Sequence, residues 1–94
     1  MPAYLIAHIT IKDPARWQLY VDSVGATLIP YGAEVVFRGQ RAEVLIGEHA
    51  HSTVAVLKFP DASTIHDWFH SEAYQALTEV RDTAAEVTFI SYDT

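Results

Sequence analysis

Tyr4-Leu5-Ile6-Ala7-His8-Ile9-Thr10-Ile11 is a run of β-favouring residues closed by the turn signal Asp13-Pro14. On the two-residue period of a strand, Leu5, Ala7, Ile9 and Ile11 share one face, and Tyr4, Ile6, His8 and Thr10 share the other. Both sets are mostly apolar, so this strand expects cover on both sides. Asp13 is placed to cap a helix and Pro14 to occupy its first turn. Trp17, Val21, Val24 and Leu28 then follow at spacings of four, three and four, a stripe along one helical face. Pro30-Tyr31-Gly32 stops that helix.

The rest of the chain repeats the theme. Glu34 to Arg38 predicts a second strand, with a turn at Gly39-Gln40, and Glu43 to Ile46 predicts a short third β-type stretch folding back as an arm ended by Gly47. Thr53 to Phe59 is the next main strand. Pro60-Asp61 opens a helix carrying Ile65, Trp68 and Phe69, and Ser71-Glu72 caps a further helical stretch. Tyr74, Leu77, Val80 and Ala84 carry that period to about residue 85. Val87 to Tyr92 is the last strand. Strand–helix–strand, twice over, predicts a split βαβ, ferredoxin-like α+β sandwich over residues 1–94, a single domain. Its four-stranded antiparallel sheet has the helices on one face, with the first and third main strands as central neighbours.

Composition bounds the function. Twelve acids against six Lys and Arg give a net charge of −6, which argues against nucleic acid and anionic membrane surfaces. With no cysteine, disulfides, thiol catalysis and Cys-based metal sites are excluded. No apolar run approaches the roughly 20 residues of a membrane span. The N-terminus passes straight into a strand, and a cytoplasmic location is expected by default. No phosphate loop, nucleophile elbow or nucleotide fingerprint is present, so no cofactor is expected.

Helices on one side leave the second face of the sheet bare. Tyr4, Ile6, Val54, Val56, Ile90 and Tyr92 would form an apolar patch larger than monomers usually expose. Burial against a second copy is the simplest remedy, and the expected state is an obligate homodimer through the open sheet face.

Taken in order, Ala3-Tyr4 through Ile9, Asp13-Pro14, Tyr31-Gly32, Arg38-Gly39, Glu43 to Gly47, Phe59-Pro60 and Trp68 to Leu77 resemble the family called domain of unknown function 1330. The strongest piece is Trp68-Phe69-His70-Ser71-Glu72-Ala73-Tyr74-Gln75-Ala76-Leu77, followed by Arg81. The resemblance covers essentially the whole chain. It implies the dimeric α/β-barrel superfamily, in which two ferredoxin-like sheets pack face to face, and it brings no established reaction. Relatives of the fold include cofactor-free monooxygenases, muconolactone-type isomerases and haem-degrading enzymes. Many members carry an acid where His8 stands, and often another at Lys58, so any chemistry resting on paired acids is not implied for this chain.

Candidate chemistry gathers where polar residues interrupt the open face. Alternation places His8 and Lys58 there on neighbouring strands, and Arg38 with them beside Glu34 and Val36. A neutral His8 could serve as general base, with Lys58, Arg38 and Tyr4 contacting a ligand carboxylate or enolate; the competing reading is ion pairing with Glu34 or Glu43. His66 and His70, at i and i+4, are read as an exposed polar pair, and His49-Ala50-His51 as a solvated loop, so no metal site is expected. Trp17, Tyr20, Tyr31, Trp68 and Tyr74 are read as core, and Arg81 as a structural side chain pairing with Glu72, Asp82 or a backbone carbonyl. Three functions fit: binding of a small aromatic or carboxylate-bearing metabolite in a cleft on the open face, cofactor-free monooxygenase- or isomerase-like catalysis by His8, or a non-catalytic interaction module using arm 43–46.

Overall fold

The computed structural model describes residues 1–94. Strand β1 spans Ala3–Ile11, helix α1 Pro14–Leu28, strand β2 Glu34–Gln40 and strand β3 Thr53–Phe59. Helices α2 (Ala62–Phe69), α3 (Glu72–Gln75) and α4 (Thr78–Ala84) lead into β4 (Ala85–Asp93). The sheet order is β2-β3-β1-β4, with every pairing antiparallel. The ferredoxin-like sandwich and its central β1/β3 pair are therefore as the sequence predicts.

Local chemistry sets the boundaries. The Asp13 carboxylate accepts the Arg16 N–H at 3.2 Å, starting α1. At its other end a 3-10 turn, Ile29–Tyr31, runs into Gly32, whose φ of 66° closes the turn through an N–H donated to the Ile29 carbonyl. Asp61 caps α2 by accepting the Thr64 N–H at 2.8 Å. Ser71 caps α3, accepting from the Tyr74 N–H while donating to the Trp68 carbonyl. The helical stretch expected over 72–85 is broken near Ala76-Leu77, where Leu77 N–H bonds back three residues to the Tyr74 carbonyl and tightens the turn.

One expected element is missing. Residues 43–46 form no strand. Gln40 already pairs with Thr53, so residues 41–52 are the connection between β2 and β3 and add no strand to the sheet. Leu45 and Ile46 are 86% and 94% exposed.

The helix side of the sheet carries Ala3, Leu5, Ala7 and Ile9 of β1 and Leu57 and Phe59 of β3, all buried. Tyr20, Leu28, Ile65, Trp68 and Tyr74 pack on them. Polar atoms inside this core are paired. Tyr20 and Tyr74 share a hydroxyl–hydroxyl bond at 2.8 Å, Arg81 Nη1 donates to the Tyr74 hydroxyl at 3.0 Å, and Trp68 Nε1 donates to Thr27 Oγ1 at 3.0 Å. Of the aromatics read as core, Tyr20, Trp68 and Tyr74 are buried and Trp17 and Tyr31 partly so.

The other side of the sheet has no helix. Directly opposed residues point to the same face, so the register lays out its rows: Glu34–Lys58–Tyr4–Tyr92, then Phe37–Val56–Ile6–Ile90, then Gly39–Val54–His8–Thr88. The middle row is wholly apolar, with Phe37 53% and Ile90 38% exposed.

Candidate functional site

The register separates the three polar residues, His8, Arg38 and Lys58, that sequence alternation puts together. Lys58 opposes Tyr4 and His8 opposes Val54, four residues further along; at roughly 3.3 Å per residue they lie about 13 Å apart along the strand. Lys58 Nζ sits 4.0 Å from the Glu34 carboxylate, an ion pair with both partners largely in water. Arg38 is not on the open face. A β-bulge between Val35 and Phe37 inserts an extra residue, so Phe37 opposes Val56 and Arg38 opposes Ala55. Phe37 thereby takes the open-face place expected for Arg38. Arg38 instead lies at a small apolar cavity of about 80 Å³ beneath α1, beside Val35, Ala55 and Trp17.

His8 has ring neighbours from a loop that is exposed at His49 and half-buried at His51. The 41–52 loop folds over the end of β1, bringing the His49 ring centre to 4.9 Å and that of His51 to 6.4 Å from His8. His51 is held by Thr10 Oγ1 at 2.9 Å from Nδ1 and Thr88 Oγ1 at 3.3 Å from Nε2. Arg41 Nη1 donates to the carbonyls of His49 and His51, at 3.0 and 3.3 Å, fixing the loop backbone. Burial lowers the His8 pKa below 6.5, and the neighbouring His49 and His51 lower it further. Because the folded value lies below the unfolded one, this contribution to stability is complete above pH 6.5 and is lost as pH falls. Thermal melting followed from pH 7.5 to 5.5 should therefore show stability declining below about 6.5, less steeply in His8→Gln. Equal slopes for the two proteins would show that His8 titrates as a free imidazole.

The largest cleft lies on the helix side, between α2, α4 and β4, with a volume of about 400 Å³. Ile65, Phe69, Val87 and Phe89 supply apolar walls, and His66, His70, Arg81 and Ser91 supply polar groups. The His66 and His70 rings lie 4.3 Å apart at its rim. Arg81 is held from two sides, by Asp82 at 2.9 Å and by the Tyr74 hydroxyl. Its guanidinium stands 5.7 Å from the centres of both the Tyr74 and Phe89 rings. Burial works against that charge, but the bonds to Asp82 and Tyr74 outweigh it and its pKa is raised. Arg81 is thus a fixed cation on an aromatic wall. The W-F-x-S-x-x-Y stretch and Arg81 carry this arrangement in the sequence, where they read only as core and support.

A family model described as "Domain of unknown function (DUF1330)" matches residues 2–93. The chain belongs to that family. No curated protein matches it. Among solved structures, a protein of unknown function from Rhodopseudomonas palustris, RPA0582, superposes with a TM-score of 0.78 at 18% identity, covering 99% of this chain and 82% of that one. SnoaB, a cofactor-independent oxygenase from Streptomyces nogalater, gives 0.72 at 10% identity, over 99% of this chain and 92% of that one. A dimeric ferredoxin-like protein of unknown function from Thermobifida fusca gives 0.63 at 10% identity, over 100% and 92%. At these identities the likeness is one of fold. No helix of this family member is long and apolar enough to cross a membrane.

Proposed function

We propose that the protein is a homodimer closed through the open sheet face, and that each chain binds a small aromatic carboxylate in its helix-side cleft. The observation carrying the ligand reading is Arg81: a guanidinium fixed by Asp82 and Tyr74 against the Phe89 ring, on the wall of a cleft of about 400 Å³. A concavity with apolar walls and a few fixed polar groups suits a small metabolite, and the Arg81 N–H groups not already given to Asp82 and Tyr74 can donate to a ligand carboxylate. The cleft lies on the other side of the sheet from His8 and Lys58, so this reading moves the ligand off the open face. Calorimetric titration with benzoate- and phenylacetate-type acids should give saturable binding that the matching amides lack. Arg81→Gln should lose that preference by about tenfold or more, the scale of a charge-assisted hydrogen bond. Equal affinity for acid and amide would sink the reading.

A second reading, catalysis without a cofactor using His8 as general base, draws support from the lowered pKa that keeps His8 neutral near pH 7 and from the fold shared with a cofactor-independent oxygenase. Replacing His8 with Ala should then abolish turnover while the dimer persists; activity surviving in that variant removes His8 from any mechanism.

A further inference from the structure

We propose that the cavity beneath α1 is a second ligand site, one that takes a short aliphatic carboxylate with its tail in the cavity and its head on Arg38. This goes beyond the Arg81 cleft and does not rest on it. The two spaces share only Leu5 and Phe89 among their walls.

The void has a cause in the sequence. Across the helix side of the sheet one row reads Arg38–Ala55–Ala7–Phe89, and the next reads Val35–Leu57–Leu5–Ser91. Where the second row has two leucines on the central strands, the first has two alanines, so the sheet is low between a cation and an aromatic ring. On the helix, Gly25 lines the same space, and a Cβ added there would meet nothing within 4 Å. Glycine weakens a helix interior, and Gly25 has no positive φ, so neither crowding nor backbone conformation calls for it. Three small residues thus border one cavity of about 80 Å³.

Arg38 is the only charged group on its walls. The hydroxyl of Tyr20 and the indole N–H of Trp68, which also border it, are already bonded to Tyr74 and Thr27. Arg38 reaches this side because of the bulge in β2; bulges commonly re-aim a side chain beside a functional site. It belongs to neither ion pair of the chain, which join Lys58 to Glu34 and Arg81 to Asp82. Val35, on the same edge strand and the same wall, is 44% exposed, so the cavity opens to water beside Arg38.

Shape and charge select the ligand. A volume of 80 Å³ is about half of the roughly 150 Å³ that holds benzene in an apolar protein cavity, which excludes an aromatic ring and suits a tail of about three or four carbons. The guanidinium, free of other partners, can grip a carboxylate at two points. Butyrate and valerate have this form.

The test titrates the intact protein with acetate, butyrate, valerate and octanoate, followed by NMR through the indole N–H signals. Both tryptophans of the chain, Trp17 and Trp68, line the cavity. Both signals should shift saturably with butyrate and valerate, at dissociation constants of about 1 mM, a scale that ligands so small can reach. Affinity should tighten about three- to fourfold per methylene up to valerate and gain nothing further at octanoate. Valeramide should bind about tenfold more weakly than valerate. Arg38→Gln should lose that preference, and Arg16→Gln, which removes a cation from the first turn of α1, should keep it. Ala55→Leu should fill the void, melt close to the parent and lose valerate binding. Xenon, a probe of the void alone, should shift the indole signals of the parent and of Arg38→Gln but not of Ala55→Leu. Excess benzoate, directed at the Arg81 cleft, should leave the valerate shifts in place. The assignment is overturned by no saturable shift with valerate, by a preference that survives Arg38→Gln, or by displacement of valerate with benzoate. Affinity still rising to octanoate would put the tail on an open surface, and an Ala55→Leu protein melting far below a xenon-silent parent would show that there is no void to fill.

Discussion

Ile6→Asp should convert the protein from a dimer to a monomer and lower its melting temperature. Ile6 sits at the middle of the open face, in register with Val56 on one side and Ile90 on the other, and Val56 in turn opposes Phe37. Only 14 of the 94 residues are buried within one chain, so much of the apolar sheet still lacks cover. In the proposed homodimer, hiding several hundred Å² of it per chain would stabilise the pair by on the order of 10 kcal/mol before association costs, at about 25 cal/mol per Å². A carboxylate in the centre of that contact loses its water without gaining a partner, a penalty of several kcal/mol for each of two symmetry-related sites. Sedimentation at micromolar concentration reads the result directly. Ile46→Asp is the control: Ile46 is also apolar and is 94% exposed, but it lies on the 41–52 loop. A dimer that survives Ile6→Asp and falls apart with Ile46→Asp would shift the interface to the loop. A parent protein sedimenting as a monomer would remove the dimer altogether.

The architecture was legible because it depends on residues that act through period alone. Leu5, Ala7 and Ile9 against Tyr4, Ile6 and His8 define two faces whatever their neighbours are, and Asp13-Pro14 and Gly32 mark a helix by local backbone chemistry. The site was less legible, for two distinct reasons. Alternation carries a side chain's facing along a strand only while the strand is regular. Val35-Val36-Phe37 gives no glycine or proline to announce the bulge, so alternation puts Arg38 on the open face whereas it lies on the other. For the histidines the solvated-loop reading of 49–51 stands, with His49 exposed, but their place beside His8 is not legible. Nothing local in His49-Ala50-His51 says that the loop returns to β1, because the bonds holding it there join Thr10 to His51 and Thr88 to His51 across 41 and 37 positions of sequence. The same holds for residues 43–46: their composition favours a strand, but they lie in the 41–52 connection between β2 and β3 and pair with neither free edge of the sheet. The sequence marks Arg81 as structural, which its bonds to Asp82 and Tyr74 bear out, yet those bonds also fix its charge beside the largest cleft.

Trp68→Ala should be the most damaging single substitution in the helix layer, costing about 3–5 kcal/mol, the range for removing a large buried aromatic. Trp68 is 1% exposed. Its ring centre lies 4.2 Å from that of Tyr74 and 5.6 Å from that of Phe59, so it touches both the sheet and α3. Losing it opens a void beside Tyr74, whose hydroxyl positions Arg81. The damage should therefore reach beyond stability: any acid-over-amide preference in the cleft should weaken even under conditions where the variant remains folded. Thr27→Val separates packing from hydrogen bonding. It keeps the side-chain volume but removes the oxygen that accepts from Trp68 Nε1, leaving a buried N–H without a partner, at about 1–3 kcal/mol. Chemical denaturation of both variants, with equal slopes in denaturant, gives the two figures. If Thr27→Val costs as much as Trp68→Ala, the indole is held mainly by its hydrogen bond; if Trp68→Ala costs under about 1 kcal/mol, the aromatic cluster is not the keystone of this layer.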